Sequence, residues 1–178
     1  MTKYEFLADL GRKYDSIIAK FGLSDNFGDL VEQFDDENPY INSCTVLNDD
    51  AAIQDKFTKN FAPFFTGLYL YEKEKLLIFD WKNSVGDVFG ILLGRFPDLE
   101  VKEQEGTYDF NGGSYNKREK VEGLNVFLET IKINNYLSEN FQIKLVEYDT
   151  QSDSYGYYVV DSGVEFSEVE KKPLNIGS

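Results

Sequence analysis

The sequence contains no histidine and a single cysteine, Cys44. Histidine is the commonest acid–base side chain near neutral pH, so its absence excludes Ser-His-Asp and Cys-His mechanisms and most zinc and iron sites. One cysteine cannot form an internal disulfide or a closed Cys/His zinc site, and Cys44 is expected to be an inert, partly buried thiol. We therefore predict no metal, no cofactor and no catalytic residue of these kinds, and any chemistry is left to carboxylates, lysine or tyrosine.

Long apolar runs are also missing. No stretch approaches the roughly 18 apolar residues of a membrane span, and the first nine residues carry acids where a signal peptide has an apolar run. Neither G-x-G-x-x-G after a strand nor G-x-x-x-x-G-K-[ST] is present, which argues against dinucleotide and P-loop enzymes. We therefore expect a cytoplasmic protein that is not embedded in a membrane.

Positive charge is scarce, because 18 Lys and Arg stand against 32 Asp and Glu, for a net charge of −14. Nucleic acids and anionic membranes attract basic proteins, so this balance favours a basic protein partner instead. The acidic runs are either solvated surface or a docking surface, on which the abundant Phe and Tyr would be anchors. The candidate partner-binding residues are Asp35, Asp36, Glu37, Asp49 and Asp50.

The length of 178 residues predicts a single domain. Within it we expect a mainly helical part (residues 1–66), a mixed α+β part (67–170) and a frayed tail (171–178). The order of the elements predicts an α+β fold, in which N-terminal helices precede a mainly antiparallel sheet with helices packed on one face.

Apolar spacing and capping signals define the elements of the first half. A first helix ends at Gly22, and two more helices follow before residue 66. Residues 68–71 suit either a strand or the end of a helix, whereas residues 76–79 predict a strand. Ser84 and Asp87 form a capping box for a helix that ends at Pro97.

The second half contains fewer clear patterns. We predict a short strand at 99–102, a long loop at 103–118 with its turn at Asn111-Gly112-Gly113, and a helix that Asn116 and Glu119 open and that runs to Ile131. Strands are predicted at 142–148, 155–161 and 164–169.

Two polar motifs lie at predicted strand ends. Asp80-Trp81-Lys82 follows the first strand, and a cluster of Asp and Ser at 149–156 joins two later strands. The simpler interpretation is a core tryptophan and a turn in which Asp149 and Asp153 accept backbone N–H groups. The cluster does not match a calcium-binding EF-hand loop. The alternative is one cleft that gathers Asp80, Trp81, Lys82, Asp149, Ser152, Asp153 and Tyr155.

Residues 68–161 resemble an uncharacterised bacterial family, a domain of unknown function. The resemblance rests on D-W-K after the first strand and on D-T-x-S-D-S-Y in the last hairpin, both intact here. The family implies no activity. Its α+β outline is similar to that of the SUKH-type immunity proteins that bacteria keep beside toxin genes, an analogy of fold alone.

Together these observations predict an acidic, non-enzymatic binding protein, most concretely an immunity- or antitoxin-like inhibitor of a basic toxin domain. The alternative is an enzyme, or a small-ligand or metal-binding protein, with a carboxylate–lysine–tyrosine cleft. A mimic of double-stranded DNA would share the charge, but the acids lack regular phosphate-like spacing.

Overall fold

The structure, a computed structural model, describes residues 18–23, 70–71, 73–150, 153–168 and 171. The chain divides into two compact units. The first comprises Met1–Tyr69, Glu168–Glu170 and Leu174–Ser178, and the second comprises Leu70–Ser167 and Lys171–Pro173.

In the first unit, the described residues include the end of one helix. Residues 18–20 are helical and end in a turn at Gly22, whose φ of 70° is left-handed. Glycine adopts this conformation without the steric cost that a side chain would bring, which makes it a common helix stop. The predicted stop at Gly22 is confirmed, and the other predictions for residues 1–66 and for the tail beyond 171 lie outside the described residues.

The second unit combines helices with two small antiparallel sheets, which confirms the α+β class. The sheet orders are β1-β6-β5 and β2-β3-β4, so the predicted antiparallel strands are divided between two sheets. In chain order the elements are β1 (Leu76–Asp80), α1 (Val85–Arg95), β2 (Lys102–Gln104), β3 (Thr107–Phe110), β4 (Gly113–Asn116), α2 (Leu124–Thr130), α3 (Ile133–Phe141), β5 (Ile143–Tyr148) and β6 (Ser154–Asp161).

Strand β6 is the middle strand of the first sheet and is buried over most of its length. Cross-strand partners project to the same face of a sheet, so Leu77, Tyr157 and Val159 share one face with Leu145. These four residues belong to one core cluster with the buried residues of α1, α2 and α3. On the other face Tyr158 packs against Tyr148 and Phe166.

Helix α1 begins with the predicted capping box. The Ser84 N–H donates to Asp87 Oδ2 over 2.8 Å, and the Asp87 N–H donates to Ser84 Oγ over 3.2 Å. The hydrogen bonds from Ser84 hold the pKa of Asp87 below its ordinary value, because they favour the charged carboxylate. The N–H groups of Val85 and Gly86 donate to the carbonyls of Glu119 and Lys117, so the first turn of the helix has backbone partners too.

The prediction of a long loop at 103–118 is wrong, because this segment forms the β2-β3-β4 sheet. Tyr108 and Phe110 alternate with polar residues and are buried, which is the pattern of a half-buried strand. The predicted turn is confirmed: Asn111 and Gly112 both have positive φ, as a two-residue hairpin turn requires.

Four other features differ from the predictions. Helix α2 begins at Leu124, because Asn116 belongs to β4 and its Oδ1 accepts the Arg118 N–H over 2.9 Å. Helix α3 was not predicted. Strand β2 begins only at Lys102, and residues 164–168 form no strand. The predicted strands at 76–79, 142–148 and 155–161 are confirmed, and residues 70–71 are helical.

Among the described residues, no helix has both the length and the apolar character needed to cross a membrane.

Candidate functional site

The two predicted motifs meet at one end of the β1-β6-β5 sheet. Asp80, the last residue of β1, pairs with Ser154 at the start of β6, and Phe79 pairs with Tyr155. The candidate Ser152 lies outside the described residues, as do the acidic candidates at positions 35–37, 49 and 50. The sheet therefore places Asp80-Trp81-Lys82 beside the last hairpin.

The described residues of these two motifs contact different parts of the second unit. Asp80 Oδ1 accepts the Lys82 N–H over 2.8 Å, the Asp149 N–H donates to the Lys171 carbonyl over 2.8 Å, and Tyr155 packs on the core cluster. No group of three or more Asp, Glu, Cys or His in the described part of the chain could hold a metal ion. A cleft shared by all the motif residues stays a prediction.

The hairpin that joins β5 to β6 is held by a threonine. Thr150 Oγ1 donates to the Ser154 carbonyl over 2.6 Å, whereas the exposed Asp153 side chain has no hydrogen bond within the described ranges. We expect Thr150→Val to lower the free energy of unfolding by about 0.5–1.5 kcal/mol. We expect Asp153→Asn to change it by less than about 0.5 kcal/mol. Urea unfolding followed by circular dichroism measures both, and equal losses would contradict this assignment.

Trp81 forms an exposed aromatic and basic patch. Its side chain is 45% exposed, and the Nζ atoms of Lys82 and Lys120 lie 5.0 and 5.3 Å from the ring centroid. Both distances permit cation–π attraction. The tryptophan is therefore not the core residue that the simpler interpretation predicted.

A second site was not predicted. A cavity of about 360 Å³, here called the polar cleft, lies between α2, the turn into α3, and strands β5 and β6. Its apolar lining consists of three core residues, and amide, carboxylate, ammonium and phenol groups supply the rest. The lining residues are Asn125, Leu128, Glu129, Lys132, Ile133, Asn134, Asn135, Leu145, Glu147 and Tyr157.

A hydrogen-bonded chain runs along one side of the polar cleft. The Tyr157 hydroxyl donates to Asn125 Oδ1, and Asn125 Nδ2 donates to Glu147 Oε1 over 3.0 Å. Glu147 and Tyr157 are direct partners across β5 and β6. Burial, followed by the charge of Glu147, raises the pKa of Tyr157, so the phenol stays a neutral hydrogen-bond donor near neutral pH.

The other side of the polar cleft is formed by the start of α3. Lys132 adopts a left-handed conformation with φ of 56°, and the helix begins without a side-chain cap. The Asn134 side chain is engaged at both ends, because it accepts the Leu145 N–H over 2.8 Å and donates to the Leu145 carbonyl over 3.0 Å. These two hydrogen bonds satisfy the backbone N–H and carbonyl of Leu145 on the open edge of β5.

One signal in the sequence could have indicated the polar cleft. Strand alternation puts Glu147 on the same face as Leu145, so a carboxylate occupies a position that faces the core side of the sheet. Glu147 is exposed on that face, and Asn125 and Tyr157 are its polar neighbours. Tyr157 follows from the pairing of β5 with β6, whereas the contact between Asn125 and Glu147 depends on how α2 packs.

Comparison with protein-family models, with curated proteins and with solved structures finds no match to this chain.

Proposed function

We propose that this chain is a protein-binding module for a basic partner, most concretely an immunity- or antitoxin-like inhibitor of a basic toxin domain. The observation that supports this proposal is the excess of acidic groups, with a net charge of −14. Such a charge attracts cationic proteins over distances beyond direct contact and raises their association rate.

The described surface contributes to this excess. Glu74, Glu103 and Glu165 form ion pairs with Arg95, Lys117 and Lys144. Many other exposed carboxylates of the described ranges have no cation within ion-pair distance, and they add to the long-range negative field. They include Asp98, Glu100, Glu105, Glu119, Glu122, Glu139 and Asp161.

Exposed aromatic groups supply contact area once the partner has arrived. Tyr71 is 56% exposed. Trp81 is 45% exposed, although Lys82 and Lys120 beside it oppose a cationic group placed directly on its ring. Tyrosine and tryptophan often provide a large part of the binding energy of protein interfaces. In the proposed mechanism the carboxylates accelerate encounter and the aromatic groups slow dissociation.

The proposal predicts a specific dependence on salt. A partner captured from the native cells at low salt is purified, and its binding kinetics are measured at about 0.05 and 0.5 M NaCl. We expect the association rate constant to fall by about tenfold or more, with a much smaller change in dissociation, because salt screens long-range attraction. An association rate that does not respond to salt would contradict the proposal.

Charge reversal tests the candidate residues in the same assay. One variant changes Asp35, Asp36, Glu37, Asp49 and Asp50 to Lys. A matched control changes Asp98, Glu100, Glu105, Glu139 and Asp161 to Lys, and so alters the net charge equally. The first variant should slow association more than the control while its melting temperature stays near that of the wild type. Equal effects would contradict a docking role for the five candidates.

A further inference from the structure

The polar cleft has the size of a small-molecule site and a lining that carries both signs of charge. We propose that it binds a small zwitterion, an aliphatic α-amino acid, in a manner independent of any protein partner. Its volume of about 360 Å³ lies within the usual range of ligand pockets. The walls are polar, and the apolar groups are Leu128, Ile133 and Leu145.

Oppositely charged side chains line the cleft without forming ion pairs with one another. Lys132, Glu129 and Glu147 all border the cavity. Within the described ranges, however, Lys132 forms no ion pair of 4.0 Å or less with either carboxylate. A ligand that carries both charges can interact with both sides at once.

The carboxylate side suits the ammonium group of the ligand. Glu147 accepts a hydrogen bond from the Asn125 amide through one oxygen, and its second oxygen can accept another. Glu129 adds a second negative charge at the same cavity. A carboxylate accepts strong, charge-assisted hydrogen bonds from an ammonium group.

The lysine side suits the carboxylate group of the ligand. Lys132 supplies an ammonium group, and the uncapped start of α3 adds the partial positive charge of a helix N-terminus. The helix end is a secondary contribution, because the mixed charges of the cavity carry the inference. The aliphatic side chain would then contact Leu128, Ile133 and Leu145.

This arrangement discriminates between charge types. Lys132 repels a ligand that carries only an ammonium group. Glu129 and Glu147 repel a ligand that carries only a carboxylate. Titration of the ¹⁵N-labelled chain with alanine, valine, leucine and isoleucine up to about 10 mM detects a Kd of about 1 mM. We expect saturable shifts at Asn125, Asn135 and Glu147 for at least one amino acid. The matching decarboxylated amine and des-amino acid should bind at least about tenfold more weakly.

Variants test the two sides separately. Lys132→Gln and Glu147→Gln should each weaken the best amino acid about tenfold or more, and Lys82→Gln, at the Trp81 patch, should not. Melting temperatures confirm that each variant is folded. The proposal is overturned if none of the four amino acids binds, if the amine binds equally well, or if both cleft variants retain full affinity.

Discussion

Replacing Phe89 by alanine is expected to lower the free energy of unfolding by about 3–5 kcal/mol. Phe89 is fully buried, and its ring centroid lies 4.9 Å from that of Tyr108 and 5.9 Å from that of Tyr115. It also contacts Phe110 and Phe127 at 6.0 and 6.1 Å. Because the ring joins α1 to the β2-β3-β4 sheet and to α2, its loss leaves a cavity where three elements meet.

Urea unfolding followed by circular dichroism measures this loss. Val126→Ala is a suitable control, since Val126 is 68% exposed and its change should stay within about 0.5 kcal/mol. A loss below about 1 kcal/mol for Phe89→Ala would show that the β2-β3-β4 sheet contributes little to the stability of the core.

Replacing Gly156 by alanine is expected to cost about 1–3 kcal/mol. A Cβ at this position of the middle strand would lie 2.9 Å from Thr150 Cγ2 and 3.0 Å from Tyr148 Cδ1. The Tyr148 ring has little room to move, because it packs on Tyr158 at 4.9 Å. Gly94→Ala is the control and should stabilise the chain instead. A Cβ there meets nothing within 4 Å, and a helix favours alanine over glycine by up to about 1 kcal/mol.

Titration gives a second measurement of the same variant. Burial raises the pKa of Tyr148 to about 12, and the charge of Asp149 adds to the effect. The folded chain therefore keeps this proton at a pH where the unfolded chain loses it, so stability falls as pH rises from about 10 to 12. If the Gly156→Ala side chain displaces the ring toward water, the pKa of Tyr148 should move back toward its ordinary value. An unchanged pKa and stability would contradict the close packing.

The elements that could be predicted carry a strong local signal. Strands β1, β5 and β6 contain dense apolar runs, and the capping box of Ser84 and Asp87 sets the start of α1. The β2-β3-β4 sheet was missed because its strands are only three or four residues long and each offers at most two large apolar groups. Its aromatic groups pack on Phe89, which lies outside the segment, so no local window contains the signal.

The candidate site shows the same limit. Strand alternation alone places Glu147 beside Leu145, but the polar cleft also requires Lys132 in a left-handed conformation that residues other than glycine rarely adopt. Asn125 reaches Glu147 only because α3 packs against β5 and α2 packs against α3.

The strand order has a consequence for synthesis on the ribosome. Among the described strands, β1 pairs only with β6, whose first residue, Ser154, follows Asp80 by more than seventy positions. At a synthesis rate of roughly 5–20 residues per second, the apolar segment Leu76–Phe79 remains unpaired for several seconds before β6 is made. During that interval an unpaired strand edge can associate with other chains. Nascent chains arrested before β6 should therefore be more prone to aggregate than chains arrested after Asp161.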